Sequence, residues 1–114
     1  MNERIKSILE HMLEDARDVV TFSDKAGSLE SFRQDAMIRK AVIMSLLTIG
    51  ELASHLPDEF TATHQEIPWK HMIGMRNIAA HGYHNMNLNI VWDTARTSIP
   101  DLLVFLKAQL TEGV

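Results

Sequence analysis

The stretch 35–56, DAMIRKAVIMSLLTIGELASHL, decides the fold class. Within it Ile38, Ala41, Val42, Ser45, Leu46, Ile49, Ala53 and Leu56 recur at three- and four-residue steps, the spacing of a helix laid on a core. Met37, Ile43, Met44 and Leu47 make a second apolar surface on the same helix. A chain of 114 residues offers a helix one intramolecular core, so the second surface predicts a subunit interface and hence a homodimer. A centrally buried helix with neighbours on both sides gives the same pattern.

Upstream, Ile5, Ile8, Leu9, Met12, Ala16, Val19 and Val20 alternate at helical spacing with Glu3, Lys6, Glu10, Glu14, Arg17 and Asp18. This predicts one amphipathic helix over roughly residues 2–22. Turn and cap residues fill 23–28, and Ser28 or Asp35 can cap the next helix, with a break near Asp35. Downstream, Pro57-Asp58-Glu59-Phe60 opens a short connecting segment that ends before Ile67-Pro68, and Pro68 suits the first turn of a further helix because its missing N–H loses no partner there. On that helix Trp69, Met72, Ile73, Arg76, Ala79, Ala80 and Tyr83 share a face. After the loop at 84–87, with a cap at Asn87, a last helix aligns Leu88, Val91, Trp92, Ala95, Ile99, Leu102, Leu103, Leu106 and Leu110, and Pro100 is expected to kink or split it. No segment alternates with period two. The expected fold is an all-α bundle of four main helices plus short ones, one domain over 1–114.

Composition narrows the chemistry. The chain has no cysteine, which excludes disulfides, thiolate metal sites and a cysteine nucleophile, and suits the cytoplasm. No apolar run approaches the ~18 residues that cross a membrane, so neither export nor membrane insertion is expected. The net charge of −4 argues against coating nucleic acid by bulk electrostatics but leaves room for a local cationic cleft. Protonatable groups gather in one region, where His64, His71, His81 and His84 stand with Lys70 and Arg76.

Arg76 interrupts an apolar stripe, and a guanidinium there needs an anionic partner. One candidate is Glu51, which follows Gly50, a residue that lets another helix approach closely; the other is a phosphate drawn into a cleft, which the planar fork of arginine matches well. His81 precedes Gly82, a natural helix terminator. The helix end favours the protonated ring and Arg76 opposes it, a balance that suits a general acid or base.

The segment Arg76-Asn77-Ile78-Ala79-Ala80-His81-Gly82-Tyr83 resembles the Arg, four residues, His, one residue, Tyr signature of HepT-type proteins in the HEPN superfamily, including the polar residue after the arginine. Phe32, Asp35, Ala41-Val42, Ile49-Gly50-Glu51, Glu66-Ile67-Pro68-Trp69, Ile73-Gly74 and Ile90-Val91-Trp92 also stand at that family's spacings. The resemblance implies a HEPN-type four-helix bundle that dimerises so that two motifs share a cleft, and metal-independent cleavage of RNA by a toxin of the toxin–antitoxin kind. It implies that Arg76 stabilises charge on the phosphoryl oxygens, that His81 exchanges a proton with the ribose 2′-hydroxyl or the leaving oxygen, and that Asn77 orients His81 or the substrate, with Glu51 in support. It also implies that Tyr83, the single tyrosine, accepts AMP from an MntA-like nucleotidyltransferase that silences the toxin. The alternative is a helical partner that binds such a nucleotidyltransferase without catalysis.

Two features depart from the pattern or compete with it. Asn87 stands where the family often has aspartate, which keeps the cap and removes a charge. His84, three residues after His81, suggests a metal site only weakly, because no carboxylate lies at ligand spacing, so neither metal nor cofactor is expected. Trp69 and Trp92 could stack on bases, but their apolar stripes favour the core.

Overall fold

The computed structural model describes the backbone of residues 2–82 and 86–112 and the side chains of residues 2–77 and 86–111. Its first helix, α1, spans Glu3–Ala26. Asn2 caps it by accepting from the Ile5 N–H at 2.8 Å, and Gly27, at φ 76°, closes it through a bond from its N–H to the Ser23 carbonyl. The helix runs about a turn past the expected end, through residues that read locally as a turn. The reason is tertiary: Ser23 is fully buried, and Arg96 from the far end of the chain donates to both Ser23 and Asp24.

Both expected caps are present. Ser28 accepts from the Ser31 N–H to open α2, Leu29–Gln34, which buries Phe32, and Asp35 accepts from the Ile38 N–H to open α3, Ala36–Ser54. Helix α3 packs against α1 on one side and, on the other, against α5, Trp69–Gly82. That central position takes one of the four residues of the expected second surface into the core. Ile43 is 5% exposed and belongs to the core, whereas Met37 at 81% and Met44 at 62% stand open to solvent and Leu47 is half-buried.

Between them lies α4, Asp58–Thr63, a short helix after Pro57. Helix α5 starts one residue after Pro68, whose carbonyl accepts the first helical bond from the Met72 N–H. It buries Trp69, Met72 and Met75, the last of which lies outside the expected stripe. The approach of α3 and α5 is closest at Gly50, where an added Cβ would lie 2.5 Å from the Met72 carbonyl oxygen and 3.0 Å from the Arg76 Cβ.

The last part of the chain runs helically from Leu88 onward: α6, Leu88–Asp93, a π turn at Thr94–Ser98, and α7, Ile99–Glu112. Asn87 caps α6 through its side chain as expected. Pro100 does not end the helix. The disturbance is taken up just before it, where the Ile99 N–H bonds the Thr94 carbonyl five residues back in a widened turn. Ile99, Leu102 and Leu106 then pack fully buried, with α7 lying along α1. Among the described residues there is no strand, and no helix is long and apolar enough to cross a membrane.

Candidate active site

Residues 51, 54 and 55 fall at i, i+3 and i+4, so the last turn of α3 and the residue after it present Glu51, Ser54 and His55 together. Gly50 admits α5 so closely that Arg76 comes within reach of Glu51 and Ser54. Its Nη1 donates to Glu51 Oε2 at 3.1 Å and to Ser54 Oγ at 3.2 Å, and its Nε donates to Asn77 Oδ1 at 3.3 Å. Ser54 in turn donates to the Glu51 carbonyl at 2.6 Å. The other carboxylate oxygen, Glu51 Oε1, lies 3.2 Å from His55 Nε2. One carboxylate thus bridges a guanidinium and an imidazole.

The expected Glu51–Arg76 pair is present, but the burial that motivated it is not. Side-chain exposure is 31% for Arg76 and 50% for Glu51, so the guanidinium leaves the apolar stripe at its edge and opens to solvent. An exposed ion pair contributes little to stability. What the contacts do is fix the orientation of a planar fork that, among described residues, makes no bond through Nη2. The hydrogen bond from Arg76 is the main influence that holds the Glu51 carboxyl below the usual carboxylate range; desolvation opposes it, and the weaker hydrogen bond from His55 adds to the lowering.

His81 lies in the last turn of α5, with helical backbone, as its place before Gly82 predicts; its side chain, like Tyr83 and His84 altogether, is outside the described residues. Asn77 is exposed and its described partner is Arg76. The two other histidines of the region with described side chains, His64 and His71, do not converge on the arginine. His64 packs against Phe60 and Phe105, and His71 bonds Thr94 Oγ1 at 3.0 Å, tying α5 to the π turn. Trp69 is core; Trp92 is half-buried, 5.2 Å from the Phe32 ring centroid, with the Arg96 guanidinium 5.5 Å from its own. Among the described residues no group of three or more His, Asp or Glu side chains is placed to hold a metal ion. Ser54 and His55 stand in this cluster, and the sequence reading does not name them. A signal exists in their spacing from Glu51, but polar residues at a helix end read as solvated surface.

The chain matches the family model described as HepT-like, "Ribonuclease HepT-like", over residues 3–109. It is 37% identical over 94 residues to "Putative RNase TTE0752" of Caldanaerobacter subterraneus subsp. tengcongensis, covering 82% of this chain and 83% of that one. It is 32% identical over 102 residues to "Probable ribonuclease HepT" of Thermococcus cleftensis, covering 90% of this chain and 92% of that one. No solved structure gives a significant match.

Proposed function

We propose a mechanism and a biological role for this chain, which belongs to the HepT-like ribonuclease family and is a ribonuclease. It cleaves RNA internally and without a metal ion, in a cleft formed by two copies of the chain. Arg76 carries this reading: its guanidinium is held in orientation by Glu51, Ser54 and Asn77 yet is open enough to receive a phosphate. The 2′-hydroxyl loses its proton, its oxygen attacks phosphorus, the bond to the 5′-oxygen breaks, and that oxygen takes a proton. The products are a 2′,3′-cyclic phosphate and a 5′-hydroxyl. Arg76 stabilises the charge that builds on the phosphoryl oxygens, and His81, one turn further along α5, moves one of the two protons. Asn77 acts by holding Arg76.

Dimerisation is supported by the face of α3. Met37, Met44 and Glu51 stand seven residues apart, a spacing that keeps all three on one side of the helix. The exposed methionines therefore lead directly to the Arg76 cluster, and a second copy covering them brings the two clusters together. We place the protein in the cytoplasm as the toxin of a toxin–antitoxin pair, silenced when an MntA-like nucleotidyltransferase transfers AMP to Tyr83. The added phosphate brings negative charge to a cleft arranged for an RNA phosphate.

His81→Ala and Arg76→Ala test the mechanism. Each should abolish cleavage while circular dichroism and melting show a folded helical protein. Cleavage at the parent rate by His81→Ala would sink the mechanism. Loss of activity that only accompanies loss of fold would leave Arg76 with a structural role. For silencing, co-expression with the nucleotidyltransferase should add AMP mass to the parent and none to Tyr83→Phe; equal addition to both would place the acceptor elsewhere.

A further inference from the structure

Helix α5 turns one side to α3 and the core, through Met72, Met75 and Arg76, and the opposite side outward. Lys70, Gly74, Asn77 and His81 stand at i, i+4, i+7 and i+11 and so share the outward side, with the register of His81 set by the helical backbone. We infer that this side of α5 is a track for the RNA strand, on which Lys70 binds a phosphate flanking the one at Arg76 and Gly74 lets the sugar–phosphate backbone lie against the helix between them. The track rests on the ribonuclease mechanism proposed for the Arg76 cluster and extends it from the bond that is cut to the strand around it.

Gly74 carries it. A glycine inside a helix weakens that helix relative to alanine, because glycine loses the most backbone freedom on folding and leaves the backbone bare. At Gly50 the close approach of α5 explains the glycine, since an added Cβ would meet the Met72 carbonyl oxygen at 2.5 Å. At Gly74 no described atom lies within 4 Å of the place an added Cβ would take. Nor does its conformation call for glycine, since it lies within α5 and Gly27 alone has a positive φ among the described residues. Neither packing among the described residues nor backbone geometry asks for a bare helix there, so what uses the space comes from outside the chain.

The groups on either side say what comes. Lys70 is exposed and forms no ion pair among the described residues, and Asn77 is exposed and accepts from Arg76 Nε at 3.3 Å. A cation, a bare stretch of helix and an amide that touches the phosphate-binding arginine thus follow one another over about 10 Å of helix axis. This order suits a phosphodiester backbone, which lysine and arginine hold through its phosphates and which lies closest where no side chain stands. A second copy of the chain is the other occupant of comparable size, but the exposed methionines that favour cover by a copy, Met37 and Met44, are on α3, whereas Lys70 and Asn77 are polar. A lysine and an asparagine alone are an ordinary solvated face; the glycine between them is what that plainer account leaves unexplained.

Lys70→Gln and Gly74→Gln test the track in steady-state cleavage of a short RNA whose phosphates on either side of the mapped cleavage position are replaced, one at a time, by uncharged methylphosphonate, with oligomeric state followed by light scattering. Glutamine is a better helix former than glycine, so Gly74→Gln should melt no lower than the parent while its KM for RNA rises about 10-fold or more. Lys70→Gln should raise KM by about 10-fold and reduce the slope of log KM against log salt by about 0.7, the share of one phosphate on a single strand. In the parent one flanking methylphosphonate should raise KM by a like factor, and in Lys70→Gln that same replacement should add nothing. A parent KM in Gly74→Gln, or methylphosphonate effects that are equal in the parent and Lys70→Gln at every position, overturns the track. So does a Gly74→Gln protein that turns monomeric, which gives this side of α5 to a second copy. His81→Ala is assayed beside them: cleavage by it at the parent rate overturns the ribonuclease mechanism itself, whereas an inactive His81→Ala alongside any of those results removes the track alone.

Discussion

Glu51 shows how much one side chain organises here, since it meets Arg76 from one helix and His55 from its own with separate oxygens. Because Arg76 and His55 hold its folded carboxyl below the free value of 4.5, the unfolded chain binds the proton more readily between the two values. The stabilisation from this cluster is therefore complete above pH 4.5 and is lost as pH falls through 4.5 and then through the lower folded value. Chemical denaturation of the parent and of Glu51→Gln should show the parent more stable at neutral pH and the two converging as pH falls below 4.5. A difference that stays constant over that range would mean that Glu51 is not the titrating partner. At this scale the Glu51–Arg76 pair is legible in the sequence, because an arginine on an apolar stripe demands a counter-charge and Gly50 marks where a helix can approach. That Arg76 emerges at the stripe's edge is not legible, since helical spacing says which residues share a face and not where that face meets water. Ser54 escapes the sequence for a related reason: its contact with Arg76 depends on what α5 delivers beside it.

At the scale of elements, the local signals that held were those with a local cause. Asn2, Ser28, Asp35 and Asn87 cap helices through their own side chains, and each cap depends on residues two or three positions away. Other signals were shaped from a distance. Helix α1 continues through Ser23 because Arg96 fastens that turn, and Pro100 is absorbed by a π turn within a helix that α1 supports. The second face of α3 is divided between the core, which takes Ile43, and solvent, which keeps Met37 and Met44. The contact of α3 with α5 is the element pair on which the site depends. Gly50→Ala would set a methyl 2.5 Å from the Met72 carbonyl oxygen, a backbone atom that cannot swing aside. It should cost about 1–3 kcal/mol, as overpacking in tight interfaces does, and should lower cleavage further by moving Arg76 from Glu51. Thermal melting and a cleavage assay below the melting range would separate the two effects; an alanine protein with the parent's stability and rate would contradict the close packing.

For the whole molecule, a net charge of −4 and an RNA substrate are compatible only if positive charge is concentrated where the phosphate binds. The exposed methionines leading to Arg76 provide the route by which a second copy would supply more of it. Met37→Glu combined with Met44→Glu should give monomers by light scattering at micromolar concentration, since each places an unpaired charge on the face to be covered, and should abolish cleavage while leaving the helices intact. A dimer that survives both changes would place the interface elsewhere. The central claim, that the protein's own groups drive attack by the ribose 2′-hydroxyl, is tested most directly by tracking one mapped cleavage position in the presence of EDTA, with and without a single 2′-deoxy sugar at the attacking nucleotide. The mechanism predicts cleavage of the all-ribose strand to a 2′,3′-cyclic phosphate and a 5′-hydroxyl, and none at the deoxy position. Cleavage at the deoxy position at an equal rate, or activity that EDTA removes and a divalent cation restores, would contradict it.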